Sequence, residues 1–319
     1  MAAAATHRPV EPPLSIVTSP TMKGSYYDVA LGSGPMLIGG AAPAFVPDWK
    51  DEDFGLVRGA FGWPSLRRER RTRTAIEEKS GRAKDEALFS YSLVLPEYQD
   101  DGGPIESFVW ETSIGLEHVD SQDQPTVINE LADLLNHGLP GIGKTRAVAD
   151  VEWLSAPTPT QVPEVPLAGP EHVVMLQTEF LMTDPHKLNG SLAVHLESAY
   201  RDFWNEVSGG AFELVRYFAR QALHGGFLSK RSRLKKYEPF LATERGSTFV
   251  LRAIDTARAS TALQTWRERG LPVPGWVMTR FANGADPLWR TCPFLPHAGF
   301  GEVAIDLECH TPKPQEQRP

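Results

Sequence analysis

Three groups of residues have the types and spacing that chemistry needs. Gly138, followed after four residues by Gly143-Lys144-Thr145, satisfies G-x-x-x-x-G-K-[ST], the loop whose backbone N–H groups and lysine cradle nucleotide phosphates. The loop "FVPDWKDEDFG" gathers Asp48, Asp51, Glu52 and Asp53. Carboxylates so placed either hold a divalent cation, orient a 2′-hydroxyl for attack on its own phosphodiester, or are simply solvated. Two basic runs complete the set: Arg67, Arg68, Arg70, Arg71 and Arg73 in "LRRERRTR", and Lys230, Arg231, Arg233, Lys235 and Lys236 in "SKRSRLKK". Such runs are either solvated faces or contacts to a polyanion. In a chain of formal net charge −8, the surface as a whole is unsuited to coating DNA non-specifically.

Other chemistries are poorly represented. Cys292 and Cys309 are the only cysteines, too few for a disulfide framework or a Cys-based zinc site. The nine histidines fall in no zinc-ligand spacing; His137 and His224, beside glycine turns, read as surface histidines at helix ends rather than acid–base groups. No run approaches the roughly 18 apolar residues of a membrane helix, and the start "MAAAATHRPVEPP" has no apolar stretch before a cleavage site. A reduced, cytoplasmic protein is expected.

These groups must be held by elements, and the elements decide between the readings. A phosphate loop needs a strand before its glycines and a helix after them, so that the helix N-terminus meets the phosphates. Here "PTVINELADLLNHG" has helical spacing and "RAVADVEWL" alternates like a strand, so the order is reversed. The glycines then serve either a tight turn or a close backbone approach to an extended polyanion, assisted by Lys144 and Arg146. "ALFSYSLVLP" and "SFVWETSIGLE" also read as strands, as do Tyr26–Leu31, His172–Thr183, Gly246–Ile254 and Glu302–Cys309. "GAFELVRYFARQALHGG" reads as an amphipathic helix, and "TALQTWRERG" as a shorter one stopped by Gly270. Trp49, Phe61 and Trp63, ahead of the arginines, either stack bases or pack a core.

A length of 319 residues favours two domains. The five prolines of "SAPTPTQVPEVPLAGP" mark the division. The reading is α+β: a loosely held lead-in over 1–22, a first unit over 23–155, a linker over 156–170, a second unit over 171–311 and a tail over 312–319. Each half reads as strand, helix, strands, helix, glycine turn, strand. That order is compatible with two ferredoxin-like (RRM-like) units carrying glycine-rich loops and insertions.

"RTRTAIEEKSGRAKDEALFSYSLVLP" and "GLPGIGKTRAVADVEWL" resemble segments of the RAMP superfamily of CRISPR-associated proteins. There an R-x-R-x-A-I-D-like stretch and an A-L-F strand ending in proline recur, and a glycine-rich loop joins a helix to the last strand of a unit. "YEPFLATERGSTFVLRA", "CPFLPHAGFGEVAIDL" and "LQTEFLMTDP" are similar to segments of two-unit RAMPs that cap the crRNA 5′ handle, especially in type III-D complexes. Where the family shows an I-P-G-S-S-x-K-G-like turn, this chain has "FGWPSLRRERR". The resemblance implies a crRNA-binding subunit of a multisubunit interference complex, with crRNA, target RNA and other CRISPR-associated subunits as partners. RNA contacts are implied at the arginine run, at Gly141, Gly143, Lys144 and Arg146, at Lys230, Arg231 and Arg233, at Arg245, Gly246 and Ser247, and at Gly299 and Gly301. It implies no cofactor for a capping subunit, and Mg2+ for one that cuts target RNA with a loop aspartate such as Asp48, Asp51 or Asp53. A nucleotide-binding enzyme using Gly138–Thr145 and an assembly module without RNA contact are the alternatives. A helix directly after Thr145 would favour the enzyme.

Overall fold

The computed structural model describes residues 9–18, 26–31, 57–59, 61–63, 68–76, 79–80, 82–95, 97–99, 103, 105–107, 110, 112, 114–116, 119–142, 147–153, 169–188, 192–224, 239–282 and 287–310. Its first elements are β1 (Ile16–Thr18), β2 (Tyr26–Asp28), β3 (Arg68–Ile76), β4 (Ala83–Val94), β5 (Glu97–Gln99), β6 (Ile105–Ser107), α1 (Gln124–Leu135), β7 (Leu139–Ile142) and β8 (Ala147–Ala149). There follow β9 (Glu171–Leu176), α2 (Leu192–Val207), β10 (Phe212–Phe218), β11 (Gln221–His224), β12 (Phe240–Thr243), β13 (Thr248–Ala253), α3 (Thr256–Arg269), α4 (Gly275–Phe281), α5 (Leu288–Thr291) and β14 (Val303–Ile305). The chain is α+β, with small antiparallel sheets. It divides into two compact units: Met1–Pro64 with Gln161–Pro319, and Ser65–Thr160. The division at Thr160 falls inside the proline-rich stretch, but the N-terminal residues belong with the C-terminal half.

In the larger unit, four strands form a sheet in the order β10-β13-β9-β14, every neighbouring pair antiparallel. Alternation along the strands sorts their side chains between two faces. Val174 and Leu176, Phe249 and Leu251, and Val303 and Ile305 enter one core. That core is closed by Leu196, Tyr200, Phe203 and Trp204 of α2 and by Ala259, Leu263 and Trp266 of α3, spaced three or four residues apart as one helical stripe requires. The Trp204 ring lies 5.1 Å from that of Phe249 and 5.4 Å from that of Trp266. Helix α3 begins at Asp255, whose carboxylate accepts the Arg258 N–H at 3.1 Å, and ends at Gly270 with φ 71°. A smaller cluster under β11, β12, α4 and α5 gathers Leu181, Phe240, Val277, Phe281 and Phe294.

The other face of this sheet is covered by the chain's own N-terminal segment. Leu14 and Ala30 pack on Val173 and Val250, and Val10 packs on Met175 and Ala304. Leu14 N–H donates to Gly246 O at 2.8 Å, and Val10 N–H to Phe61 O at 3.0 Å. Residues 9–18 are therefore not the loosely held lead-in that their composition predicts; Val10, Leu14 and Ile16 are buried, and three apolar side chains suffice to bind a short strap to a sheet. His310 Nδ1 lies 2.7 Å from Asp28 Oδ2, the Ser15 hydroxyl donates to Asp28 Oδ1 at 2.5 Å, and His172 Nδ1 lies 2.7 Å from Asp306 Oδ2.

Two sequence expectations fail here for identifiable reasons. The helix expected over Gly210–Gly226 is not formed by its described residues, 210–224, which contain β10 and β11. A bulge between Leu214 and Arg216 shifts the register, so inward side chains fall at 212, 214 and 217. Val215 and Phe218 pack on the opposite face, and apolar residues drawn from both faces of the strand together imitate a helical stripe. The helix of this connection is α2, unassigned from the sequence. In the smaller unit, the alternation of Ser107–Glu117 does not produce a strand over Trp110, Thr112 and Ile114. Among the described residues this unit holds α1 and three two-stranded antiparallel sheets, β3-β4, β5-β6 and β7-β8; α1, β3, β7 and β8 bury no side chain fully.

Candidate nucleic-acid interface

Strand β3 carries Arg68, Arg70, Arg71 and Arg73, all exposed. β-Branched Thr72, Thr74 and Ile76 favour the extended backbone, and β4 pairs with it in a register that sets Arg70 opposite Ser92, Arg71 opposite Tyr91 and Thr72 opposite Ser90. The arginines are not equivalent. Arg70 donates from Nε and Nη2 to Ser90 Oγ, at 3.2 and 3.0 Å. Arg71 pairs with Glu69 through two N–H···O bonds of 3.0 and 3.2 Å; that hydrogen bonding holds the Glu69 carboxyl below its ordinary range and Arg71 above its own. The Arg73 guanidinium lies 5.4 Å from the Tyr91 ring centroid, within cation–π reach. Ser90 and Ser92 were not singled out from the sequence, although the alternation of "ALFSYSLV" places them on one face.

The Gly138–Thr145 motif sits at the junction of α1 with a hairpin. Gly138 has φ 74°, and a Cβ there would lie 2.7 Å from Ala149 O. It is glycine because β8 passes against it. After Thr145 the chain enters β8, antiparallel to β7, so no helix N-terminus follows the motif to receive a phosphate. Gly141 differs: φ is 77°, and a Cβ would meet nothing within 4 Å.

The same contrast separates the glycines of the larger unit. A Cβ on Gly246 would lie 2.7 Å from Pro12 O, and one on Gly301 2.7 Å from the Phe180 ring. Both are occupied by intramolecular packing. Ser247 is buried, its Oγ accepting the Arg220 N–H at 3.3 Å, while Arg245 Nε stands 3.5 Å from Glu11 Oε1. The Arg245-Gly246-Ser247 turn thus anchors the N-terminal strap. Gly299, with φ 84° and open space around its Cβ position, remains available for close approach.

Phe61 is half-buried against the cluster of Val10 and Met175, and Trp63 Nε1–H donates to Val10 O at 2.7 Å with Arg58 4.5 Å from its ring centroid. Both take the packing alternative. His224 ends a strand, its ring 5.7 Å from that of Phe294, whereas His137 is exposed beyond α1. Asp48, Trp49, Asp51, Asp53, Arg67, Gly143, Lys144, Arg146, Lys230, Arg231 and Arg233 lie outside the described residues. Among the described residues no group of three or more His, Cys, Asp or Glu side chains is arranged to hold a metal ion, and no helix is long and apolar enough to cross a membrane. The chain matches no protein-family model and no curated protein.

Proposed function

We propose that this chain is a crRNA-binding RAMP subunit of a multisubunit CRISPR interference complex, holding the guide backbone or its 5′ handle without cutting. The observation that carries the reading is the exposed arginine strand β3, four guanidiniums against Glu69 over Arg68–Arg73. Guanidinium forks match phosphate oxygens in geometry and charge. The connectivity β9-α2-β10-β13-α3-β14, with β11 and β12 inserted, and the sheet order β10-β13-β9-β14 are compatible with a ferredoxin-like unit, which supports the same reading for the larger unit. Open glycines at 141 and 299 add two turns where a sugar-phosphate chain can approach the backbone closely.

RRM-type units stack bases on the open face of the sheet. Here Val10, Leu14 and Ala30 cover that face, so RNA is held by the arginine strand and glycine turns instead. Recognition by such groups is directed at phosphate and sugar, which positions a strand without reading its bases. The exposed apolar side chains of the smaller unit, Trp110, Val148 and Ile76 among them, suit contact with neighbouring subunits.

The test is to express the chain with a CRISPR array and companion subunits and to extract RNA from the purified assembly. Array-derived RNAs with a common 5′ end are expected. An assembly that retains such RNA equally well without this chain would sink the reading.

A further inference from the structure

The β3–β4 ribbon has two chemically distinct faces, and they divide the arginines. We infer that Arg68 and Arg70, with Ser90 and Ser92 beside them, contact successive phosphates of a single-stranded nucleic acid, whereas Arg71 and Arg73 serve the ribbon's own packing. This rests on the RNA-binding reading above and assigns it to one face.

In an antiparallel pair, directly opposed residues share a face and successive residues alternate. The register puts Arg68 with Val94, Arg70 with Ser92 and Thr72 with Ser90 on the first face; it puts Glu69 with Leu93 and Arg71 with Tyr91 on the second. Arg68, Arg70, Thr72, Ser90, Ser92 and Val94 of the first face are all exposed; on the second, exposed Arg71 and Arg73 lie beside half-buried Glu69, Tyr91 and Leu93. Over this stretch the first face holds no carboxylate. Its polar groups are guanidinium N–H donors and hydroxyls, the set that an acceptor-only phosphodiester and a 2′-hydroxyl require.

The second face already satisfies its cations. Glu69 takes Arg71 by two hydrogen bonds, and the Tyr91 ring takes Arg73. Binding a phosphate there means breaking an ion pair or unstacking a guanidinium first. On the first face, among the described residues, Arg70 is held only by a neutral hydroxyl, Ser90 Oγ. That bond fixes the plane of the fork, uses two of its five N–H groups, and leaves the Ser90 O–H free to donate outward. Arg68 and Arg70 are two residues apart, about 6.8 Å along a strand, so each guanidinium reaches a different phosphate. With no aromatic ring among its described members, this face contacts the backbone and not the bases.

The experiment uses the full chain and a fluorescein-labelled oligouridylate, with affinity measured over a range of NaCl concentrations. Each phosphate contact contributes roughly 0.7 to the slope of log K against log salt for single strands, so Arg68→Gln with Arg70→Gln should flatten it by about 1.4. Arg71→Gln with Arg73→Gln should leave it nearly unchanged. Arg68→Lys with Arg70→Lys should keep the parent slope while weakening binding, because the charge stays without the fork. Equal flattening by both Gln pairs, or flattening by Arg71→Gln with Arg73→Gln alone, would overturn the division of faces. A parent chain whose affinity for the oligouridylate does not depend on salt would overturn the RNA reading itself. Circular dichroism of each variant separates these outcomes from unfolding, and Ser90→Ala with Ser92→Ala, which changes no charge, should weaken binding at constant slope.

Discussion

The two units of this chain put their apolar side chains to different uses. In the larger one Trp204, Trp266, Tyr200 and Phe249 are almost wholly buried between a four-stranded sheet and two helices. The buried apolar side chains of this larger unit gather in packed cores. In the smaller one α1, β3, β7 and β8 bury no side chain fully, and Trp110, Leu134 and Val148 are 77%, 71% and 68% exposed.

The comparison breaks most sharply on stability. Trp204→Ala should lower the unfolding free energy by about 3–5 kcal/mol, the usual cost of emptying an aromatic site in a core. Trp110→Ala should change it by less than about 0.5 kcal/mol. Urea denaturation of both variants checks this, and similar losses would mean that the smaller unit has a core of its own.

Smaller effects are expected at the glycines, and these sharpen the contrast between occupied and open turns. Gly246→Ala and Gly301→Ala combine a left-handed backbone with a Cβ 2.7 Å from a neighbour, whereas Gly141→Ala and Gly299→Ala meet only the backbone cost of about 1–2 kcal/mol. The first pair should therefore melt at lower temperature than the second. The second pair should lose more RNA affinity relative to stability.

Thiol reactivity is a milder probe of the same packing. Burial pushes the Cys309 thiol up to about 12, with the nearby Asp28 carboxylate adding to the effect, and pushes Cys292 up to about 11. At pH 8 both should react with a disulfide reagent roughly a hundredfold or more slowly in the native chain than in urea. The unfolded thiols lose their protons first as pH rises, so stability should fall above pH 9 and continue to fall toward the folded values. The smallest effect is expected at Asp48, Asp51 and Asp53: replacing each by Ala should leave cleavage of complementary RNA by the assembled complex unchanged, and loss of cutting at one position would instead make that residue catalytic.

The sequence revealed the parts whose signal is local. β4, α1, α3 and β13 lie where alternation or helical spacing places them, and Gly270 stops α3 as a C-terminal glycine should. The reversed order around Gly138 was enough to argue against a nucleotide loop, and β8 follows Thr145 as strand. What escaped was long-range. The N-terminal strap depends on Leu14 meeting Gly246 and Asp28 meeting His310, pairings that no window of neighbouring residues contains. Apolar residues on both faces of β10 disguised a strand as a helix. Gly246 and Gly301 looked like ligand-facing glycines because the residue type does not say what presses against it.

Photocrosslinking the full chain to a single-stranded RNA whose phosphorothioate backbone carries azidophenacyl groups, followed by peptide mapping, tests most directly the claim that the ribbon and not the sheet holds RNA. Crosslinks in the ribbon from Arg68 to Val94 are expected, with none at Val173, Met175 or Val250 on the covered face of the larger sheet. Crosslinks at those sheet residues, with the ribbon unlabelled, would contradict it.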